Sequence, residues 1–337
     1  MKKGLILLAV GLFFVSATTF GQGKFSGLAF GDYFYNISAD TAMKGTAAKN
    51  YNGFQFRRIY FSYDENLSEK FAFRFRTEDD QGEVFANGKI GSFVKDAYLK
   101  WMGFFSGSDL TFGMQPTPAF DISEGLWGYR SLEKTIMDLH GVVGSRDIGV
   151  SLRGKIDEGG MLGYWVMVGN GASTGTPETD KYKSYYVNIQ AKPVSDLTIT
   201  LFEGYASTAP GVKGADLDKA TTAIFADYGI KANYNVGVEL FSQNQANKAV
   251  QQGYSFFGSY FFTPDLSGIL RYDIYDPNTS AKVKGDMQNL LIAGVSWAAD
   301  KNVWFQPHIE YTSFEKPSSG TGLDASLTGF LTFYFTF

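Results

Sequence analysis

The chain has 337 residues, a formal net charge of −4 and no cysteine. The lack of cysteine excludes disulfides and thiolate metal sites, and the slight acidic excess offers no basic surface for nucleic acid. Aromatic residues make up 17% of the chain and glycine contributes 39 residues, but no internal apolar run reaches the length of a membrane helix. This composition is typical of a transmembrane β-barrel, not of a helical membrane protein.

The N-terminus has the order of a secretory signal peptide. Two lysines are followed by an apolar stretch from Leu5 to Val15 and then by small and polar residues. The apolar stretch is too short to span a bilayer as a helix. We therefore expect residues 1–21 to form a signal peptide and residues 22–337 to form the mature barrel.

Segments of alternating apolar and polar residues recur along the chain. In "KFAFRFRTEDD", residues 70–80, the phenylalanines lie on one face of a strand and Arg74 and Arg76 lie on the other. In an outer-membrane barrel the phenylalanines face lipid and the arginines face a wet lumen. Similar alternation occurs in "VKDAYLKWM", "RDIGVSLRGK", "NVWFQPHIEYT" and the C-terminal "LTFYFTF". Sixteen candidate strands begin near residues 25, 52, 70, 91, 109, 146, 161, 182, 197, 221, 234, 251, 266, 286, 302 and 323.

The connections between these strands alternate between long and short. Barrels of the outer membrane have long outside loops and short periplasmic turns, so this alternation favours an up-and-down antiparallel barrel. The predicted fold class is all-β, with about 16 strands; fourteen and eighteen stay open because strand boundaries are uncertain by about two to four residues. A soluble sandwich or propeller is the alternative. It would need a second layer over the apolar faces or a repeat of fixed period, and the sequence has no such repeat.

The longest predicted connection covers residues 116–145, between the fifth and sixth strands. It contains several apolar residues, among them Phe120 and Trp127. Its segment "SLEKTIMDLHG" predicts a short helix with Ser131 as cap and Gly141 as stop. A loop this long is usually functional or disordered. We expect this third outside loop to fold inward and constrict the lumen, and in this respect the chain resembles the general porins.

The sequence around this loop resembles the phosphate-selective porin type (the polyphosphate-porin superfamily). The resemblance rests on "LTFGMQPTPAF", the long loop and "SRDIGVSLRGKI", within residues 108–155. In that family a glycine-rich strand runs into a proline-containing loop and returns through an Arg-Asp-x-Gly-x strand. The resemblance implies a 16-stranded, homotrimeric channel for small solutes, with anions among the candidates.

The charges of the loop depart from an anion-binding pattern. The loop holds one arginine, one lysine and four acids, Asp121, Glu124, Glu133 and Asp138, which sum to −2. This balance argues against a phosphate-binding ladder in the loop, since anion selection needs convergent cations. Arginines and a lysine on the barrel wall partly offset it. The candidate pore-lining and constriction residues are Arg74, Arg76, Lys100, Arg130, Glu133, Lys134, Asp138, Arg146, Arg153 and Arg271.

A positive wall opposite a negative loop would create a transverse field across the narrow point. The alternative is that these charges only hydrate the lumen and pair with one another. Replacing Arg74, Arg76 and Arg153 with neutral residues is expected to shift ion selectivity toward cations without preventing insertion.

The predicted function is a porin of a Gram-negative outer membrane that lets small hydrophilic solutes and ions diffuse passively. Its expected partners are outer-membrane lipid, lipopolysaccharide and these solutes. We expect no cofactor and no catalytic site, because the chain has two histidines, His140 and His308, without the spacing of a helical metal pair. The alternatives are a substrate-specific channel of the anion or phosphate type, and a barrel adhesin or structural barrel without transport.

Overall fold

A computed structural model of the chain describes residues 23–84, 88–171, 174–207, 218–246, 248, 250–280, 285–317 and 322–337. The predicted signal peptide, residues 1–21, lies outside the described residues. Sixteen antiparallel strands form one closed barrel, in which each strand pairs with its neighbours in the chain and the first pairs with the last. This arrangement confirms the predicted fold class.

The strands, numbered in chain order, are β1 (Lys24–Ser38), β2 (Asn52–Asn66), β3 (Phe71–Val84), β4 (Ile90–Phe105), β5 (Ser108–Pro116), β6 (Arg146–Lys155), β7 (Leu162–Gly169), β8 (Ser184–Val194), β9 (Leu197–Ala206), β10 (Lys219–Ile230), β11 (Tyr234–Gln245), β12 (Gln251–Thr263), β13 (Leu266–Asp276), β14 (Gln288–Asp300), β15 (Val303–Phe314) and β16 (Ser326–Thr336). Each begins within three residues of its predicted start, and β16 has the largest offset.

The alternation of connection lengths is less regular than the sequence predicts. Strands β3 and β4 continue to pair out to Val84 and Ile90. The outside connection 85–89 is therefore five residues long, one fewer than the turn 156–161 at the other end of the barrel. The predicted alternation of long and short connections fails here, because hairpin pairing extends strands beyond the apolar segment that defines them in sequence.

The two faces of the wall differ in chemistry. Along β9, Ile199 and Leu201 are exposed on the outer surface, whereas Thr200 and Phe202 are buried inside. In β3, Phe75 is exposed outward, while Arg74 contacts Asp64 on the inner side. A closed barrel satisfies its backbone hydrogen bonds internally, so an apolar outer surface can face lipid.

Aromatic pairs lie on the outer surface next to the short turns. The rings of Trp101 and Phe104 are 5.0 Å apart, and those of Trp297 and Phe305 are 6.1 Å apart. Aromatic rings at this level are typical of the boundary between lipid and water. They mark one edge of the membrane-embedded part of the barrel.

The connection after β5 contains two short helices, α1 (Asp121–Trp127) and α2 (Ile136–Leu139). A 3₁₀ turn at Gly45–Ala47 lies in the first outside loop. The predicted helix over "SLEKTIMDLHG" is reduced to the single turn α2, and α1 was not predicted. The left-handed Gly141 (φ 59°) follows α2 as the predicted stop. No helix in the described ranges is long and apolar enough to cross a membrane.

Candidate channel lining and its loop

The loop of residues 117–145 packs against an apolar stretch of the inner wall. Its side chains Ile136 and Met137 have no exposed surface. They form one cluster with Phe120 and Val142 of the loop and with inward-facing residues of β7–β11. The inward-facing apolar residues of β7–β14, called here the apolar wall, are Met167, Tyr186, Phe202, Ala223, Phe225, Phe241, Phe257, Ile269 and Ile292.

A second cluster is centred on Trp127 at the end of α1. Together with Leu132 it packs on the apolar wall, and its ring lies 5.1 Å from that of Phe257 in an edge-on arrangement. The guanidinium of Arg271 stacks 5.2 Å from the same ring. Burying each large apolar side chain stabilises the packed state by about 1.5–3 kcal/mol. The two clusters together therefore hold the loop firmly inside the barrel.

Side chains donate hydrogen bonds to the backbone carbonyls in the middle of the loop. The carbonyl oxygens of residues 131–134 all accept side-chain hydrogen bonds. Arg57 of β2 donates to the carbonyls of Ser131 and Leu132. Trp127 donates to the carbonyl of Glu133, and Arg271 of β13 donates to that of Lys134. Each of these carbonyls therefore meets a side-chain donor where a regular helix would supply a backbone N–H. This explains why the predicted helix is shortened, and why Ser131 bonds to Gln306 of β15 at 2.6 Å instead of acting as a cap.

The opposite part of the inner wall carries a layered network of charges. Three acids, Asp32, Glu78 and Asp96, are at most 1% exposed and lie against the barrel wall. Five cations pair with them; we call these eight residues the charged wall. The pairs are Arg57–Asp32 (2.6 Å), Arg58–Glu78 (2.9 Å), Lys95–Glu78 (2.7 Å), Arg76–Asp96 (3.3 Å) and Arg146–Asp96 (2.5 Å). Five cations against three acids leave a formal surplus of +2.

Two β-bulges create this density of inward charge. Between β1 and β2 the register shifts beside Arg57, which has no partner in the ladder, so that Arg57 and Arg58 both face inward. Between β3 and β4 it shifts beside Lys95, and Lys95 and Asp96 both face inward. A bulge inserts one residue and re-aims its side chain. Strict alternation would have sent one residue of each pair into the lipid.

The loop presents its own charged group. Arg130 lies 3.0 Å from Glu124 and 3.4 Å from Asp138. Burial raises the pKa of Glu124 to about 7, and the charge of Arg130 opposes this shift only in part. Although burial works against it, the pKa of Asp138 lies below its usual value because Glu124, Arg130 and Lys134 stabilise its charged form. Arg58 of the charged wall also acts on both carboxylates.

The predicted site residues divide into four groups. Arg76 and Arg146 belong to the charged wall, and Arg130, Glu133, Lys134 and Asp138 lie in the loop. Arg74, Lys100 and Arg153 line a separate cavity of about 260 Å³ nearer the short turns, where Arg153 lies 3.4 Å from Asp121 of the loop. Arg271 is only 1% exposed and lies beneath the loop, paired with Asp273.

Sequence reasoning missed several members of the charged wall. These are the cations Arg57, Arg58 and Lys95 and the acids Asp32, Glu78 and Asp96. The adjacent arginines in "FQFRRIYF" were the available signal, since two consecutive arginines within an alternating strand indicate a bulge.

The histidines occupy packing positions. The ring of His140 stacks on Tyr275 at 3.5 Å, and the ring of His308 stacks on Phe330 at 4.8 Å. His308 Nε2 lies 3.7 Å from Glu310. Within the described residues there is no cluster of three or more side chains suited to hold a metal ion.

No protein-family model matches this chain, and no curated protein matches it either. Solved structures do match. An anion-selective porin from Comamonas acidovorans superimposes with a TM-score of 0.68 at 13% identity, covering 94% of this chain and 99% of that one. The chain has a porin fold.

Two further structures support the same architecture. The outer-membrane channel DcaP of Acinetobacter baumannii gives a TM-score of 0.63 at 12% identity, covering 94% of this chain and 97% of that chain. Salmonella typhi OmpF, in complex with daunomycin, gives 0.63 at 11% identity with the same coverages. Identities this low show the architecture alone, and the matches do not single out the phosphate-selective type. A closed barrel of this fold with an apolar outer surface places the chain in a bacterial outer membrane, as predicted.

Proposed function

We propose that this chain is a porin, a water-filled channel for passive diffusion of small hydrophilic solutes and ions, constricted by the loop 116–145. The observation that carries this proposal is the docking of the loop on the apolar wall. It leaves the charged wall as the surface that the loop's acids face. The channel then runs between Arg58, Arg76 and Arg146 on one side and Glu124 and Asp138 on the other.

This arrangement creates a transverse field across the narrow point. The charged wall has a formal surplus of +2, whereas the group of Arg130, Glu124 and Asp138 has a formal charge of −1 when both acids are ionised. Because burial raises the pKa of Glu124 to about 7, protonation of this acid weakens the negative charge of the loop side. We infer a modest preference for anions, set by the wall.

A channel specific for anions is the second candidate. It is favoured by the cavity that Arg74, Lys100 and Arg153 share nearer the short turns. Within that cavity, however, the acids Asp109 and Asp121 balance most of the positive charge. General diffusion with weak anion preference is therefore the stronger proposal.

We also propose that the barrel forms a homotrimer surrounded by lipid and lipopolysaccharide. The support is an outward-facing aromatic surface on β1, β2 and β16. Phe54 is 84% exposed there, and the rings of Phe56 and Phe333 meet at 5.4 Å. These rings offer flat apolar faces on which a neighbouring barrel packs in the proposed trimer.

The test is single-channel recording of the refolded protein in a planar bilayer, with the reversal potential measured in a KCl gradient. We expect discrete, stable conductance steps and a reversal potential of the sign that indicates anion preference. Correctly folded, heat-modifiable protein that gives no steps would contradict the porin proposal. A strong cation preference would contradict the role given to the charged wall.

A further inference from the structure

A cavity of about 430 Å³ lies beneath the loop, at the end of the barrel that carries the short turns. Trp127 and Tyr129 of the loop line it together with inward-facing residues of β11–β16. Its described lining contains none of the cations of the charged wall, and Asp265 carries its single formal charge. The cavity therefore differs in character from the proposed ion path.

Aromatic rings supply one part of its surface. Trp304 of β15 and Tyr334 of β16 stack at 4.9 Å with an angle of 25° between their planes. Trp127 and Tyr129 add an edge-on pair 5.4 Å apart. Such rings offer flat, apolar faces that can cover the C–H face of a ring-shaped ligand, while the tyrosine hydroxyls remain polar.

Hydroxyl and amide groups supply the other part. Tyr129 Oη lies 3.0 Å from Ser267 Oγ, and Gln306 Nε2 donates to Ser296 Oγ at 3.1 Å. Ser259 also lines the cavity. Each serine hydroxyl has one donor and two acceptor sites, so these bonds orient the groups and leave capacity for a ligand.

We propose that this cavity is a binding site for uncharged pyranose sugars. The C–H face of a pyranose packs on an aromatic ring, and its hydroxyls both donate and accept, as serine and glutamine side chains do. The volume lies in the range of about 300–1,000 Å³ that small-molecule sites occupy. An anionic solute would lose hydration here without meeting a cation, and Asp265 would repel it.

The site goes beyond the proposed diffusion function and does not depend on whether the lumen conducts. It would hold a sugar at the periplasmic end of the barrel, after the narrow point. If the cavity bound no sugar, the ion conductance of the channel would be unchanged.

The experiment is saturation-transfer-difference NMR on the full refolded chain in a phosphocholine detergent, which carries no sugar headgroup. The probe is methyl β-D-glucopyranoside. Sorbitol, an open-chain polyol, and glucuronate, a charged pyranose, serve as comparison ligands. We expect a saturable signal, strongest on the ring C–H protons, for the glucoside alone. Equal signals for the glucoside and sorbitol would overturn the proposal, because stacking would then contribute nothing.

Three variants localise the signal. Trp304→Ala should lower it about three- to tenfold, and Trp304→Phe, which keeps a stacking ring, should retain most of it. Trp297→Ala is the matched control, because Trp297 is 51% exposed on the outer surface and should leave binding unchanged. If Trp304→Ala fails to give heat-modifiable barrel, Ser259→Leu fills the cavity without removing a ring and should abolish the signal. An undiminished signal in a folded Trp304→Ala variant, or any signal in folded Ser259→Leu, would overturn the assignment.

Discussion

The charged wall and the apolar wall are parts of the same inner surface, yet they hold opposite kinds of residue. In β2–β4 the inward positions carry Arg58, Arg76 and Asp96, whereas in β9–β10 they carry Phe202 and Ala223. Apolar side chains can face the inside of a porin where something dry covers them. The loop provides that cover, so the apolar part of the wall marks where the loop docks.

The two parts are also stabilised by different physics. The contact between the loop and the apolar wall is stabilised by burial of large side chains such as Ile136 and Met137, which salt does not screen. The charged wall depends on cations that compensate buried acids, and an unpaired buried carboxylate there would cost several kcal/mol. Each part can therefore be perturbed separately, and the following changes are ordered from the largest expected effect to the smallest.

Removing the indole that holds the loop should have the largest effect. Trp127→Ala deletes a side chain that is 2% exposed and contacts both Phe257 and the Glu133 carbonyl. Loss of a buried tryptophan costs about 3–5 kcal/mol, here taken mainly from docking of the loop. We expect a larger, noisier single-channel conductance and protease cleavage within residues 117–145 of the folded barrel.

Trp297→Ala provides the matched control for this change, since it removes an outward-facing tryptophan of the same size. It should leave both conductance and protease resistance as in the wild type. If Trp127→Ala behaved like this control, the loop would not be held by the apolar wall.

The second largest effect is expected when the surplus positive charge of the charged wall is neutralised, and it should appear in the ion selectivity. Arg58→Gln with Arg76→Gln lowers the formal sum from +2 to 0 and leaves each buried acid one partner, as Lys95 stays with Glu78 and Arg146 with Asp96. We expect the reversal potential in a KCl gradient to move toward cation preference while the barrel still folds and inserts.

The pair Arg74→Gln with Asp64→Asn is the control for this prediction. These two residues form a partly exposed ion pair of 2.6 Å, so their joint removal leaves the net charge unchanged. An equal shift in both double variants would mean that the surplus on the charged wall does not set the selectivity.

Protonation of Glu124 should tune the channel more modestly. Its pKa, ordinarily 4.5, is raised to about 7 by burial, so the docked loop binds a proton more readily than the free loop between these values. Docking is therefore strongest below about pH 4.5 and weakens as the pH rises through about 7. Over the same rise Glu124 becomes negative, and anion preference should fall with a midpoint near pH 7.

Reversal potentials recorded between pH 5 and 9 measure this dependence. Glu124→Gln should remove the transition and hold the channel in its low-pH behaviour at every pH. A transition that survives in this variant would have to come from another group.

The smallest effect is expected at Arg153. Its guanidinium lies 4.5 Å from the ring of Trp165 and 3.4 Å from Asp121, but both partners of the ion pair are about half exposed. Exposed pairs of this kind contribute about 0–1 kcal/mol. Arg153→Gln should therefore leave thermal stability nearly unchanged and shift the reversal potential less than the Arg58 and Arg76 pair does. A shift as large as theirs would place the narrow point nearer the short turns.

The period-two pattern of apolar and polar residues identifies the strands of this barrel, because successive side chains point in turn to lipid and to the lumen, as in β3. It fails where a bulge breaks the alternation, at Arg57 and Lys95, and it treats Arg74, Arg76, Arg153 and Arg271 as equivalent. Their differences arise from long-range contacts. Arg271 is covered by a loop that is more than a hundred residues away in sequence, as its hydrogen bond to the Lys134 carbonyl shows. No local pattern encodes such a contact.

The most direct test uses the absence of cysteine, which makes any introduced thiol unique. Arg76→Cys places a thiol on the charged wall, and Ala223→Cys places one on the apolar wall beneath the loop, where Ala223 is 5% exposed. A negatively charged, water-soluble methanethiosulfonate is added during single-channel recording. The account predicts a stepwise change in current for Arg76→Cys and no modification of Ala223→Cys. Equal modification of both thiols would show that water fills the whole lumen and that the loop does not divide it.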